Sequence, residues 1–128
     1  MKKVEKNQHK YLINICSFIE IKWIIFHFIK KSPDKKEDFL NAYQEGLIYF
    51  IKSNQFEIVS YLNLEIDIIS NKVRDAGISD YFDALIYATA NVQDAILITE
   101  DGLLHEISTQ KSIGNKVLNW KAFIKSYL

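Results

Sequence analysis

Cysteine, proline, glycine and net charge are all scarce in this chain of 128 residues, and each scarcity removes a class of protein. The single cysteine, Cys16, cannot close an internal disulfide or build a thiolate metal cluster within one chain, which points to a reducing, cytoplasmic setting. One proline and four glycines exclude collagen-like repeats and loop-rich secreted scaffolds. Lys+Arg and Asp+Glu each number 16, so no excess of one sign marks a nucleic-acid coat protein or an acidic tail. The apolar stretch 11–29 is broken by Asn14, Ser17, Glu20, Lys22 and His27. A bilayer span would bury Glu20 and Lys22 at about 2.5–3.5 kcal/mol each, and no small-residue cleavage site of a signal peptide follows. The expectation is a protein with no membrane segment.

What is present is apolar content of 48%, enough at this length for one self-sufficient domain spanning residues 1–128. Helix and strand signals alternate along it. Tyr11 to Ile15 reads as a short strand. Ser17-Phe18-Ile19-Glu20 has the spacing of a capping box, which predicts a helix from Ser17 with Glu20 at its third position. The apolar residues from Trp23 to Ile29 lie around most of that helix, so it should be buried on more than one side. A break at residues 30–36 around Pro33 precedes a second helix carrying Phe39, Leu40, Tyr43, Leu47, Phe50 and Ile51. Residues 55–61 alternate as a strand. Asn63 caps a third helix that stops at Gly77, and Ser79 starts a fourth that runs to Ala90. Ala95 to Thr99 is a continuous apolar run, the pattern of a strand covered on both faces. A short helix from Leu103, a strand at 116–118 and a closing helix from Asn119 follow. Strands separated by helices predict an α/β architecture with a small parallel sheet.

Open parallel sheets place their ligand sites beyond the carboxyl ends of the strands. Asp101 follows the apolar run ending at Thr99. Asp83 lies in the first turn of the preceding helix, and Glu20 near the start of a helix that follows a strand. Three carboxylates converging on one rim suit Mg²⁺ or Mn²⁺, which prefer hard oxygen donors. Such an ion polarises a phosphoryl oxygen and acidifies a bound water.

The segment Ile78-Ser79-Asp80-Tyr81-Phe82-Asp83-Ala84-Leu85-Ile86-Tyr87-Ala88-Thr89-Ala90, followed by Ala95-Ile96-Leu97-Ile98-Thr99-Glu100-Asp101, resembles the C-terminal half of a PIN domain. That family is marked by an Asp-Ala-Leu-Ile-x-Ala-x-Ala helix and then an apolar strand ending in Thr-x-Asp. Phe18-Ile19-Glu20-Ile21-Lys22-Trp23 resembles the family's early helix, and the helix ending in Arg74-Asp75-Ala76-Gly77 resembles the element before the Asp-Ala-Leu-Ile helix. The likeness covers about residues 11–118, most strongly 64–107. It implies a three-layer PIN-like domain and a metal-dependent endoribonuclease, often the VapC-like toxin of a toxin–antitoxin pair. RNA would be its substrate and an antitoxin protein its partner. Glu20, Asp83 and Asp101 would hold Mg²⁺ or Mn²⁺, with Thr99 supporting Asp101. The family's first strand carries a further Asp. None of the nineteen residues before Glu20 is Asp, so the likeness implies an N-terminally shortened domain. The other alignment sets Tyr11-Leu12-Ile13-Asn14 on that strand and Asn14 at the Asp position. A PIN-like binding or assembly module impaired in catalysis is the alternative function.

Other residues have plainer readings. Glu20 and Asp83 both suit the start of a helix, and Asp101 before Gly102 suits a turn. His27 and His105 lack partners at metal-binding spacing. Cys16 reads as a small packed hydrophobe, and Lys2, Lys3, Lys6 and Lys10 as a basic terminus. A helix so apolar around its circumference predicts a homodimer or larger oligomer.

Overall fold

The computed structural model describes residues 9–60 and 62–128. It is a mixed α/β structure whose chain divides into two compact units, 9–60 and 62–128 among the described residues. Each unit holds one parallel pair of strands, where the sequence predicts one small sheet.

In the N-terminal unit, β1 (Tyr11–Asn14) pairs in parallel with β2 (Phe56–Val59), in the register Tyr11↔Phe56 to Asn14↔Val59. Between them run α1 (Ile15–Lys31), a 3₁₀ turn at Pro33–Lys35 and α2 (Lys36–Lys52). The start of α1 corrects the predicted Ser17 capping box. Asn14 ends β1 in an extended conformation, and its Oδ1 accepts the Cys16 N–H at 2.9 Å. Helix therefore begins at Ile15, and Glu20 is the sixth helical residue, beyond the reach of a cap. Phe56 organises the packing. It stacks on Tyr11 at 5.2 Å and meets Phe50 edge-on at 4.8 Å, while Phe50 meets Phe18 edge-on at 5.8 Å. Such offset and edge contacts suit the aromatic quadrupole. The predicted burial of α1 on several sides is also corrected. Only Cys16 and Phe18 of α1 are buried, and Trp23 is 68% exposed. Lys10 pairs with Glu57 on the neighbouring strand. Lys2, Lys3, Lys6 and Tyr61, the last the predicted end of a strand, lie outside the described residues.

The C-terminal unit contains α3 (Leu64–Asp75), α4 (Tyr81–Val92), β3 (Leu97–Ile98), α5 (Gly102–Ile107), β4 (Val117–Leu118) and α6 (Trp120–Tyr127). Asn63 caps α3 as the sequence predicts, accepting the Ile66 N–H, and α6 follows Asn119, which caps it by accepting the Ala122 N–H. Gly77 ends the α3 turn at φ +120°, a conformation side-chain-bearing residues rarely adopt. The predicted start of α4 at Ser79 shifts by one, because Asp80 is the cap. The apolar run 95–99 contributes only Leu97 and Ile98 to a ladder, since β4 offers two residues to pair with. Val73, Ile78, Ala84, Tyr87, Leu97, Leu104 and Ile113 form one buried cluster. The Tyr87 hydroxyl donates to Ile113 O at 2.7 Å, which satisfies a polar group that burial would otherwise penalise. No helix among the described residues is long and apolar enough to cross a membrane.

Candidate functional site

Two of the predicted carboxylates, Asp83 and Asp101, belong to the C-terminal unit. Both lie where a helix begins. Asp80, the cap of α4, accepts the N–H groups of Phe82 at 2.8 Å and Asp83 at 3.2 Å through Oδ1. Asp83 is the third helical residue and half-buried. Its carboxyl is held above the ordinary aspartate range, first by burial, then by the negative charges of Asp80 and Asp101. Desolvation and like charge both disfavour ionisation. Asp101, eighteen residues on in sequence, makes the smallest of these three contributions.

Asp101 is fixed from several directions. The Thr99 N–H donates to Leu118 O at 3.0 Å, extending the β3–β4 ladder by one bond. The Asp101 N–H donates to Thr99 Oγ1 at 3.1 Å, the support the Thr-x-Asp pattern implies. His105 Nε2 donates to Thr99 O at 2.8 Å, since a carbonyl can only accept. Glu100 turns away and accepts the Trp120 N–H at 2.9 Å. Asp101 Oδ1 caps α5 through Leu103 N–H at 2.8 Å and Leu104 N–H at 3.3 Å. Oδ2 is the oxygen this cap does not use.

Glu20 stands half-buried on α1 in the N-terminal unit. There its charge adds to burial in pushing the Cys16 thiol up. That thiol is buried, as a packed hydrophobe should be.

Sequence reasoning singled out neither Asp80 as a charge acting on Asp83 nor His105 as the clamp on Thr99. The adjacency of Asp80 to the helix start was the available signal for the first. For the second none existed, because the bond joins a side chain to a carbonyl six residues away. At the α3–α4 connection a cleft of about 620 Å³ is lined by Asn71, Arg74, Asp75, Gly77, Ile78 and Ser79. Arg74 brings a permanent cation to it.

The donor set is chemically suited to a hard divalent cation. Carboxylate oxygens are what Mg²⁺ and Mn²⁺ select, and a cation beside Asp83 would favour the charged form that burial first, and then neighbouring negative charge, disfavour. Comparison with known proteins returns no matching family model, no matching curated protein and no matching solved structure.

Proposed function

We propose that the chain is a PIN-like endoribonuclease dependent on Mg²⁺ or Mn²⁺, with the three-layer arrangement of that family. Asp83 and Asp101 would hold the ion, and Glu20 is the third carboxylate the resemblance assigns. The observation that supports this reading is the position of Asp101 just beyond the end of the parallel strand β3, fixed by Thr99 and the start of α5, where α/β proteins build ligand sites. A bound divalent ion supplies a water acidic enough to attack a phosphodiester. The chain's own contribution is positional. Thr99 and His105 hold the loop that carries Asp101, and Asp83 rides on the first turn of a packed helix. Arg74 in its cleft offers a charge for the RNA backbone, for which Arg is well suited. An antitoxin protein is the partner that a toxin of this type would have.

A second reading is favoured by Asn14. It occupies the end of β1 with an amide instead of a carboxylate, and that amide oxygen is spent on capping α1. A site short of one charge supports binding or assembly without cleavage.

Incubation with single-stranded RNA and Mn²⁺ or Mg²⁺ tests both. The nuclease reading expects metal-dependent cleavage that falls about 10²–10³-fold in Asp83→Asn and in Asp101→Asn, the range for losing one preorganised charge contact. Wild-type protein that binds Mn²⁺ by calorimetry and leaves RNA intact supports the second reading. Zn²⁺ bound through histidine, with no carboxylate dependence, overturns the carboxylate site.

A further inference from the structure

The formal net charge of +0 hides a segregation of charge along the chain. All 16 acidic side chains lie at or before Glu106, and the stretch from Ile107 to Leu128 carries Lys111, Lys116, Lys121 and Lys125 with no Asp or Glu. Each of these lysines is exposed, and none is ion-paired among the described residues. Unpaired positive charge gathered on one part of a domain is the electrostatic footprint of a polyanion site.

Lys121 and Lys125 belong to α6, and Lys116 reaches it. Along that helix Trp120 stacks on Phe123 and Phe123 on Tyr127, each pair with ring centroids 5.6 Å apart. The Lys116 Nζ donates to the Tyr127 hydroxyl at 2.7 Å and lies 5.2 Å from that ring. Phe123 is the buried anchor of the column, and Trp120 at its other end is 47% exposed. Lys121 and Lys125, one turn apart, lie opposite Phe123 around the helix. The outward side of α6 therefore shows two ammonium groups, with an indole on its flank.

We propose that α6 is a landing surface for single-stranded RNA, on which a base stacks against Trp120 while Lys121, Lys125 and Lys116 meet the phosphates. Proteins that hold single strands combine these two parts, because every base has a π face and every linkage a charge. The apolar side of α6 is spent on packing Phe123 into the unit. It has no such face left to sink into a bilayer, as a basic membrane-surface helix must. The backbone N–H of Trp120 donates to Glu100 Oε1 at 2.9 Å, so this end of α6 adjoins the loop that carries Asp101. Glu100 repels phosphate there and directs the strand over the lysines. That the strand is RNA rests on the ribonuclease reading, for which this surface would hold substrate beside the candidate carboxylates. The stacking and the charge do not depend on cleavage.

Fluorescence anisotropy of a labelled oligouridylate of about twelve nucleotides, within single-strand site sizes, tests the surface with the full chain in chelator. Binding at about 50 mM salt should fall in the ~10⁻⁶–10⁻⁴ M range of sequence-independent contacts, and should weaken about twenty-fold by about 200 mM, the slope for three phosphates on a single strand. Trp120→Ala should weaken it about five-fold or more without changing that slope, and Trp120→Phe should recover part of the loss. Lys121→Gln combined with Lys125→Gln should leave about one third of the slope. In a Trp23→Phe background Trp120 is the only indole of the original two, and its emission should fall as the oligonucleotide stacks on it. No binding at the lower salt overturns the proposal, as does binding indifferent to both the Trp120 and the lysine variants, or Trp120 emission unmoved at saturation. Binding to phosphatidylserine vesicles in place of the oligonucleotide overturns it in favour of a membrane. Binding that follows the variants while Mn²⁺ brings no cleavage upholds the surface and sets aside the ribonuclease instead.

Discussion

The two units are built from similar elements, a parallel strand pair and its helices, yet they handle their apolar residues in opposite ways. In the C-terminal unit Val73, Ala84, Tyr87 and Ala88 are all at 0% exposure. In the N-terminal unit α2 has no buried residue, and α1 has only two. Side-chain size separates them. Ala84 and Ala88, one turn apart on α4, leave room for close approach, and α3 and α4 make the most extensive helix contact of the protein. The N-terminal unit packs Phe18, Phe28, Phe39, Tyr49, Phe50 and Phe56 ring against ring. Rings that meet at their edges fill space at the centre and leave their outer atoms wet. Hydrophobic stabilisation follows the area removed from water, so the C-terminal unit closes its own core and the N-terminal unit has apolar area left to bury.

Truncating one ring in each unit should expose this difference most strongly. Tyr87→Ala removes a fully buried side chain and orphans Ile113 O, and should cost about 3–5 kcal/mol. Phe50→Ala removes a half-buried ring with edge contacts to Phe18 and Phe56, worth about 1–2 kcal/mol. Urea unfolding of both variants, followed below the concentration of any self-association, measures the two losses. Equal losses would break the contrast between a closed and an open core.

The sequence made much of this legible, and its misses have local causes. Asn63 is readable as a cap because it precedes a clear helical stripe and has no competitor beside it. Ser17 and Ser79 misled because a better acceptor lay nearby: Asn14 at the end of β1 and Asp80 one residue on. Ile15 and Cys16 look extended by propensity, but once Asn14 binds the Cys16 N–H the helix takes them. The run 95–99 shows that residues are apolar and says nothing about how long a partner strand will be. The exposure of α1 was invisible for a related reason. An apolar helix announces that it will be covered without saying by what. At the candidate site, the motif and the strand end single out Asp83 and Asp101 as expectations, whereas the hold of His105 on Thr99 is visible only in the fold.

The next contrast lies in the caps. Asp80 accepts the Phe82 and Asp83 N–H groups at the start of the tightly packed α4, and Asn14 accepts the Cys16 N–H at the start of the exposed α1. Asp80→Ala should therefore cost about 1 kcal/mol, within the range for lost caps, and Asn14→Ala no more than that. Thermal melts of the two variants rank them. A larger loss from Asn14 would mean that the entry into α1 is the more tightly determined of the two.

The smallest expected effect carries the most information about the site. Asp83 titrates above its unfolded range because burial and then the charges of Asp80 and Asp101 oppose its ionisation. Between the unfolded and folded values the native state holds a proton that the unfolded state has lost, so stability falls as pH rises through that window. Above the folded value the charged carboxylate is a liability. As pH drops towards the unfolded value, the liability disappears. Asp83→Asn removes it at every pH and keeps the shape of the side chain. It also removes a negative charge from the first turn of α4, which by itself would cost about 0.3–1 kcal/mol. Solvent at this half-buried position screens both effects. In chelator at neutral pH the variant should be as stable as wild type or slightly more so, and the difference should shrink as pH falls through the carboxylate range. Added Mn²⁺ should then stabilise wild type and leave the variant unmoved, because only the former gains a ligand for its native state. An Asn variant that is less stable at all pH values, with no response of wild type to Mn²⁺, would reduce Asp83 to a helix-end charge.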